Sequence, residues 1–393
     1  MLAKIPIAGT PIEFMDIFRA ITRSINKGAT HDFITIMEQF LGTRFIHFTD
    51  SGLASFYIIL EALKKISGKK EVILPSYTAG NLIVAIQKAG LVPVLCDISM
   101  EDFNPDRDSL LKAVTSETLA VVLVHMFGIP IKDIEGLRNK IPRDVFIIED
   151  CAQSFGARVG GKSVGRFGDI SFFSFNRGKN LPTCGGGCFA TSSGNLFEAL
   201  IHETERFTAK ENSREISKTI LKTLAISLAV RPLVYGMGYF FISRFKDLSL
   251  ISDFEVKDYS SFQASLGLEL YKKAASLYHS RNKNGMFLIN SLKVNQNLII
   301  PNISKDIFPV FNRFPLVFKN PEKVTLAQKK LWQVGIESSQ MYCRPLYQMF
   351  NLGCKLESFP NTEYFYPRLL TLPVHPGVKE KDLANMTRVI NNL

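Results

Sequence analysis

Residues 147–181 read IIEDCAQSFGARVGGKSVGRFGDISFFSFNRGKNL. The run that leads in, Val145–Asp150, is apolar until it meets two acids, the pattern of a strand buried on both faces that ends at a carboxylate. Ile170–Phe175 is a second short strand. Lys179 follows it and precedes the glycine turn Cys184-Gly185-Gly186-Gly187, after which Gly187–Thr191 is strand-like again.

The same alternation extends upstream. Phe33–Leu41 reads as helix and Arg44–Phe48 as strand. Gly52–Ile66 reads as helix with Ser51 or Asp50 as its cap. Glu71–Pro75, Val92–Asp97 and Leu119–His125 are strands, and Gly80–Ala89 is a helix closed by Gly90. Buried strands alternating with helices predict an α/β fold with a mostly parallel central sheet covered on both faces. In such sheets ligands bind at the carboxyl ends of the strands. Residues 251–290 read as helical. From about 306 the pattern changes to FPLVF, a helix at Lys323–Val334 and LLTLPV, a smaller α+β domain. The expected division is a large domain over 1–250 and a small one over 251–393.

The chain has 393 residues, 46% hydrophobic and 21% charged, which excludes wholesale disorder, collagen-like repeats and coiled coil. Its net charge of +11 favours anionic partners without choosing among them. Six cysteines without a CxxC pair read as reduced thiols of a cytoplasmic protein. Six scattered histidines give no zinc spacing, so no metal is expected. No basic stripe interleaved with aromatics speaks for nucleic acid. The N-terminus does not read as a signal peptide.

Three features fall where strands end. Ser51-Gly52-Leu53-Ala54 opens a helix whose free amides suit a phosphate. Asp150 closes a buried strand, where an unpaired charge is costly and a ligand is a natural partner. Lys179 lies between a strand and a glycine turn, where desolvation would lower its pKa and make it a usable nucleophile toward a carbonyl. Each alone has an ordinary explanation: a capped helix, an ion pair, a solvated lysine. Together they supply what pyridoxal 5'-phosphate needs, an anion cup, a partner for the pyridinium nitrogen and an amine for the aldehyde.

The stretch 147–181 resembles the EDxAQxxGA…GxxGDxxxFSFxxxKNL core of the DegT/DnrJ/EryC1/StrS sugar aminotransferases, which have the pyridoxal-phosphate fold type I. PSYTAGNLIVAIQKAGLVPVLCDI, VHMFG at 124–128, FQASLGLEL at 262–270, VGIESSQMYCRPLY at 334–347 and LPVHPGV at 372–378 carry the resemblance over most of the chain. It implies Lys179 as the Schiff-base lysine and proton carrier and Asp150 as the partner of the pyridine nitrogen. It places Gln153 against the cofactor near its ring oxygen. It puts Ser174 on the phosphate beside the amides of Gly52 and Leu53. Related dehydratases carry His in place of the lysine, so Lys179 argues for transamination. The implied reaction moves an amino group, from a donor such as glutamate, to a keto sugar that is nucleotide-linked, in polysaccharide or lipopolysaccharide biosynthesis. A homodimer is implied as well.

The chain also departs from the family's pattern. Leu53 replaces a hydroxyl residue, Gly185 a usual Glu, and Ala79 a stacking aromatic, with Tyr77 the nearest aromatic that could stack or serve the core instead. Val256, Lys257 and Asp258 stand where an Asn-Tyr-Arg segment is usual. Residues 216–246 form a hydrophobic insertion broken at Arg231-Pro232 and flanked by Lys218, Lys222, Arg244 and Lys246. It is too short and too broken to span a membrane. Two readings stand: a buried or dimer-contact hairpin, or a peripheral contact with an anionic membrane face. A membrane- or lipid-linked substrate and a non-catalytic homologue are the alternatives for the whole chain.

Overall fold

A computed structural model of the chain describes residues 3–25, 28–209, 213–244, 250–294 and 297–393, the side chains of 240–244 excepted. Seven strands form the central sheet: β1 (Phe45–Thr49), β2 (Glu71–Pro75), β3 (Val92–Cys96), β4 (Thr118–Val124), β5 (Phe146–Asp150), β6 (Ile170–Ser174) and β7 (Gly187–Thr191). Their order is β1-β7-β6-β5-β4-β2-β3. Only β7 runs against its neighbours; the pairs β6–β5, β5–β4, β4–β2 and β2–β3 are parallel. This is the mostly parallel sheet that the apolar runs predict.

The alternation of side chains sorts the core. Val72, Leu74, Val122 and Ile148 face one way, into a cluster with Phe56, Ile59 and Leu63 of helix Gly52–Ser67. Ile73, Val121, Leu123 and Ile147 face the other way, against Leu110, Ile134 and Leu137. Each such branched side chain, fully buried, contributes about 1.5–3 kcal/mol. The period of two therefore puts Glu149 and Asp150 on opposite faces of β5.

Helix Gly52–Ser67 begins with Ser51 as its cap, whose hydroxyl accepts the Ala54 N–H at 3.1 Å. Its first turn rests directly on the ends of β6 and β7. A Cβ on Gly187 would lie 2.3 Å from the Gly52 nitrogen, and one on Gly52 would lie 2.9 Å from the Phe173 carbonyl oxygen and the Ser174 Cβ. Two glycines therefore permit the close approach that brings the helix start to the strand ends.

The 251–290 stretch read as helical holds two helices, Ser261–Tyr271 and Ala274–Ser291, parted at Lys272 and Lys273, and residues 251–260 are not helical. The first packs with Phe33, Phe48 and Phe175 in the cluster behind β1 and β6, on the large-sheet side of the molecule. The closing unit is a three-stranded sheet of β8 (Leu298–Ile299), β9 (Phe314–Phe318) and β10 (Leu369–Leu372), antiparallel throughout, backed by helices Glu322–Gln333 and Glu380–Asn391. The insertion forms helices Ser213–Ala229 and Pro232–Arg244, bent by 95° at the break before Pro232. Residues 245 and 246 of the stretch singled out above lie outside the described residues. Among the described residues no single helix is long and apolar enough to cross a membrane.

Candidate active site

The carboxyl ends of β5 and β6 gather the expected residues. Asp150 closes β5, 5% exposed. Its carboxylate accepts the Ala152 N–H at 2.9 Å. Burial pushes its pKa up, and the Ala152 amide, Lys179 and His125 oppose that rise. A carboxylate held by one amide on the binding edge of a sheet has capacity left for a cationic partner.

Lys179 keeps partial contact with solvent, yet protein surrounds it closely enough that burial lowers its pKa. Asp150 acts against that shift and Arg313 adds to it. Among the described residues Lys179 forms no ion pair. Its backbone is held firmly. Thr10 donates its hydroxyl to the Lys179 carbonyl at 3.0 Å, and Asn312 Nδ2 donates to the Gly178 carbonyl at 2.8 Å. The next residue, Asn180, donates to the carbonyls of Gln153, Phe155 and Val310 at 3.2, 3.1 and 3.0 Å. Thr10 is held in turn by Arg281 Nη2 at 2.9 Å, and Arg281 Nη1 donates to the carbonyls of Phe311 and Asn312. The lysine is thus braced from both ends of the chain.

The cup lies beside them. Ser174 ends β6 against Gly52. Among the described residues its hydroxyl and the amides of Gly52 and Leu53 have no hydrogen-bond partner. They stand at the positive end of a 16-residue helix. Leu53 packs its side chain on the core and offers only its amide.

Two further residues have occupied side chains. Gln153 Oε1 accepts the Phe127 N–H at 3.0 Å, and its amide nitrogen contacts Met126 Sδ at 3.6 Å. It fixes the turn 126–128, where Phe127 has φ +58°. Tyr77 is 1% exposed, its ring set edge-on to Tyr342 and Phe365. Its hydroxyl donates toward the carbonyls of Gln340 and Tyr342 at 2.9 and 2.8 Å and accepts the Tyr342 N–H at 3.1 Å. Of the two roles open to Tyr77, these contacts serve the core one, pinning the loop that carries Tyr342. Val256 and Lys257 pair with Thr208 and Ala209, and the Lys257 N–H donates to the Asp50 carboxylate at 3.1 Å.

On the opposite face of β5 lies a group of different character. Glu149 accepts the N–H groups of Gly165, Phe167 and Gly168 at 2.9, 2.7 and 2.7 Å. His125 Nδ1 accepts the Ile131 N–H at 3.0 Å, which places the ring proton on Nε2, 3.1 Å from Glu149. Burial would raise the Glu149 pKa, but His125 and the amides hold it below the usual value. His125, Glu149 and Cys151 lie close enough together to suggest a metal site. Their lone pairs and protons are already committed, and burial keeps the Cys151 thiol protonated.

Arg313, Tyr342, Asn312, Thr10 and Arg281 carry no signal in the local sequence as site residues. Tyr342 alone lies in a quoted matching segment. The other four are brought in by long-range packing.

The donor set suits pyridoxal phosphate. Partnerless amides and a hydroxyl at a helix start fit the phosphate. A buried carboxylate fits the ring nitrogen, and a lysine without a counter-ion fits the aldehyde. The sequence profile of the DegT/DnrJ/EryC1/StrS aminotransferase family matches residues 14–234 and 250–393. An uncharacterised protein of Methanocaldococcus jannaschii is 26% identical over 93% of this chain and 89% of its own length. A UDP-N-acetyl-3-dehydro-α-D-glucosamine 3-aminotransferase of Acidithiobacillus ferrooxidans is 26% identical over 86% of this chain and 82% of its own. Among solved structures, a sugar aminotransferase from Micromonospora echinospora superposes with a TM-score of 0.81 at 18% identity, over 99% of both chains. The chain belongs to the DegT/DnrJ/EryC1/StrS aminotransferase family and is a pyridoxal-phosphate-dependent aminotransferase.

Proposed function

We propose that this enzyme transfers an amino group from an amino-acid donor such as glutamate to the keto group of a nucleotide-linked sugar, in glycan biosynthesis. The observation that carries the reading is the meeting of Lys179, Asp150 and the free amides of Gly52 and Leu53 at one edge of the sheet. The name of the Acidithiobacillus relative supports the sugar class, and the +11 charge suits a diphosphate-bearing substrate.

Bound pyridoxal phosphate would supply an electron sink for the carbanion formed at the substrate carbon. Gly52, Leu53 and Ser174 would hold its phosphate. The Asp150 carboxylate would keep the ring nitrogen protonated. Lys179 Nζ would take a proton from the donor's α-carbon and return it to the C4′ carbon of the cofactor. A lowered pKa leaves more of its amine neutral and ready to accept that proton. The bonds to Gly178, Lys179 and Asn180 restrict where Nζ can reach.

The test is the visible spectrum of the purified protein with cofactor, before and after glutamate, alongside Lys179→Ala. The wild type should gain a cofactor band that glutamate bleaches, and the variant should show neither. A wild type that takes up no cofactor, or whose band no amino donor alters, would sink the proposal.

We further propose that the chain pairs with a second copy of itself in the cytoplasm and that the 216–246 insertion meets an anionic membrane face. Leu221, Leu228, Leu233, Val234 and Met237 are exposed along it, at 66%, 42%, 55%, 39% and 68%. Lys218, Lys222 and Arg231 lie among them, the pattern of a helix lying in a charged interface. Light scattering should give twice the chain mass, and anionic vesicles should co-sediment the protein where neutral ones do not. A monomer, or indifference to both vesicle types, defeats the corresponding half.

A further inference from the structure

The segment Val310–Arg313 lies along the turn that carries Lys179. The Val310 N–H donates to the Gly128 carbonyl at 3.1 Å and the Asn312 N–H to that of Phe127 at 2.8 Å. Asn180 Nδ2 reaches the Val310 carbonyl at 3.0 Å, and Asn312 Nδ2 reaches that of Gly178 at 2.8 Å. Arg313 is the next residue, so its side chain springs from a backbone tied to both flanks of the lysine.

Its guanidinium is oriented but under-used. Nη1 donates to Ser339 Oγ at 2.9 Å, and Ser339 is tied by its own hydroxyl and backbone to Thr371 of β10. Nε is sealed from solvent without an acceptor, as is Nε of Arg281, so the two arginines differ only in their terminal nitrogens. Among the described residues no carboxylate lies within ion-pair distance of Arg313. Glu337 is close enough to act on its charge, but that carboxylate accepts the Ile7 N–H at 2.7 Å and the Tyr235 hydroxyl. The enclosed Arg281 makes a useful contrast. Its terminal nitrogens satisfy three oxygens, those of Phe311, Asn312 and Thr10, and its task is structural. Arg313 has one such bond, and its charge helps to lower the pKa of Lys179.

We infer that Arg313 is an anion subsite of the active centre and takes the carboxylate of the amino donor, an assignment that rests on the function proposed above. A planar fork with one edge fixed by Ser339 matches a planar carboxylate and would grip it through two parallel bonds. A donor whose nitrogen meets the cofactor beside Lys179 carries its α-carboxylate one carbon away, on the side where a cation must wait. A half-buried guanidinium with no carboxylate in ion-pair distance among the described residues is costly in the free enzyme, and an arriving carboxylate lowers that cost.

The test uses the full-length holoenzyme as wild type, Arg313→Lys and Arg313→Gln. Thermal unfolding and the cofactor's visible absorbance first establish folding and loading. The half-reaction is then followed against glutamate concentration. Separately, calorimetry measures the binding of glutarate, a dicarboxylate that cannot react, and of inorganic pyrophosphate, a stand-in for a sugar nucleotide's diphosphate. Arg313→Gln should keep its cofactor and weaken both glutamate half-saturation and glutarate binding by about 10- to 100-fold, the range for losing a hydrogen bond to a charged group. Arg313→Lys should fall between, since it keeps the charge and loses the fork; it carries the test if the glutamine variant does not fold. Pyrophosphate binding should not change. Glutarate binding equal to wild type in the variant overturns the inference. So does a loss confined to pyrophosphate, which would give Arg313 to the sugar-nucleotide side. A wild type unreactive toward glutamate would count against the proposed function, while the glutarate titration would still read Arg313.

Discussion

Glu149 and Asp150 are adjacent acids on one strand, and their surroundings send them to opposite tasks. Glu149 faces a cluster with no ligand edge and is met by three amides and His125. Its charge is fully answered, and its pKa is held down. Asp150 faces the helix start and Lys179 with one amide bond, and burial pushes its pKa up. A buried carboxylate that is saturated with donors is a structural part. One that is left short of them is waiting for a partner. The number of donors, rather than the depth of burial, separates the two.

The comparison breaks most sharply at Asp150. Asp150→Asn should leave the fold and cofactor uptake in place while the glutamate half-reaction slows by about 100- to 1,000-fold, as expected when a charge that stabilises the transition state is removed. Single-turnover absorbance reads this, and an unchanged rate would make Asp150 as structural as its neighbour. Glu149→Gln should do the reverse. Removing the charge and turning an NH2 toward two of the four donors should cost about 3 kcal/mol in denaturant unfolding, while any folded fraction reacts at the wild-type rate. The linkage sign sharpens this: a depressed pKa gives stability that is complete above the unfolded value and lost as pH falls through the folded one. The two proteins should therefore differ at pH 7 and converge in acid below the usual Glu range.

The smallest effect belongs to Asp50, at the mouth of the cup. Burial raises its pKa to about 6 against the Lys257 amide and charge that lower it. Here the sign is opposite, since a raised carboxyl pKa destabilises the fold increasingly as pH climbs from the unfolded value to about 6. Asp50→Asn should raise the melting temperature at pH 7 by about 1–2 °C, and the gain should vanish near pH 4. A gain that persists in acid would rule out ionisation as its cause.

Much of the frame is legible in local sequence because its signals are local. The strands of the sheet follow from apolar runs, and Ser51 announces the helix it caps. Pro232 announces the break in the hairpin, since it cannot continue a helix without losing a bond. The site is legible only in part. Asp150 and Lys179 fall at strand ends, where position alone makes them candidates. Arg313 lies in FNRFPLVF, an ordinary strand entry, and nothing within ten residues says that it will stand beside Lys179. That placement depends on side-chain amides spanning more than a hundred residues, Asn180 to Val310 and Asn312 to Gly178. Tyr77 shows the converse limit. An aromatic in a matching segment is equally good as a stacking partner or as core, and only its bonds to the 340–342 loop distinguish the two.

The ties of the lysine turn to Val310 and Asn312 also bear on when the enzyme can be made whole. During synthesis Lys179 emerges from the ribosome long before the segment that holds it. Until residues 310–313 arrive, its turn lacks the bonds to Val310 and Asn312. A chain truncated before that point would carry every motif of the core stretch without two of the bonds that hold the lysine turn.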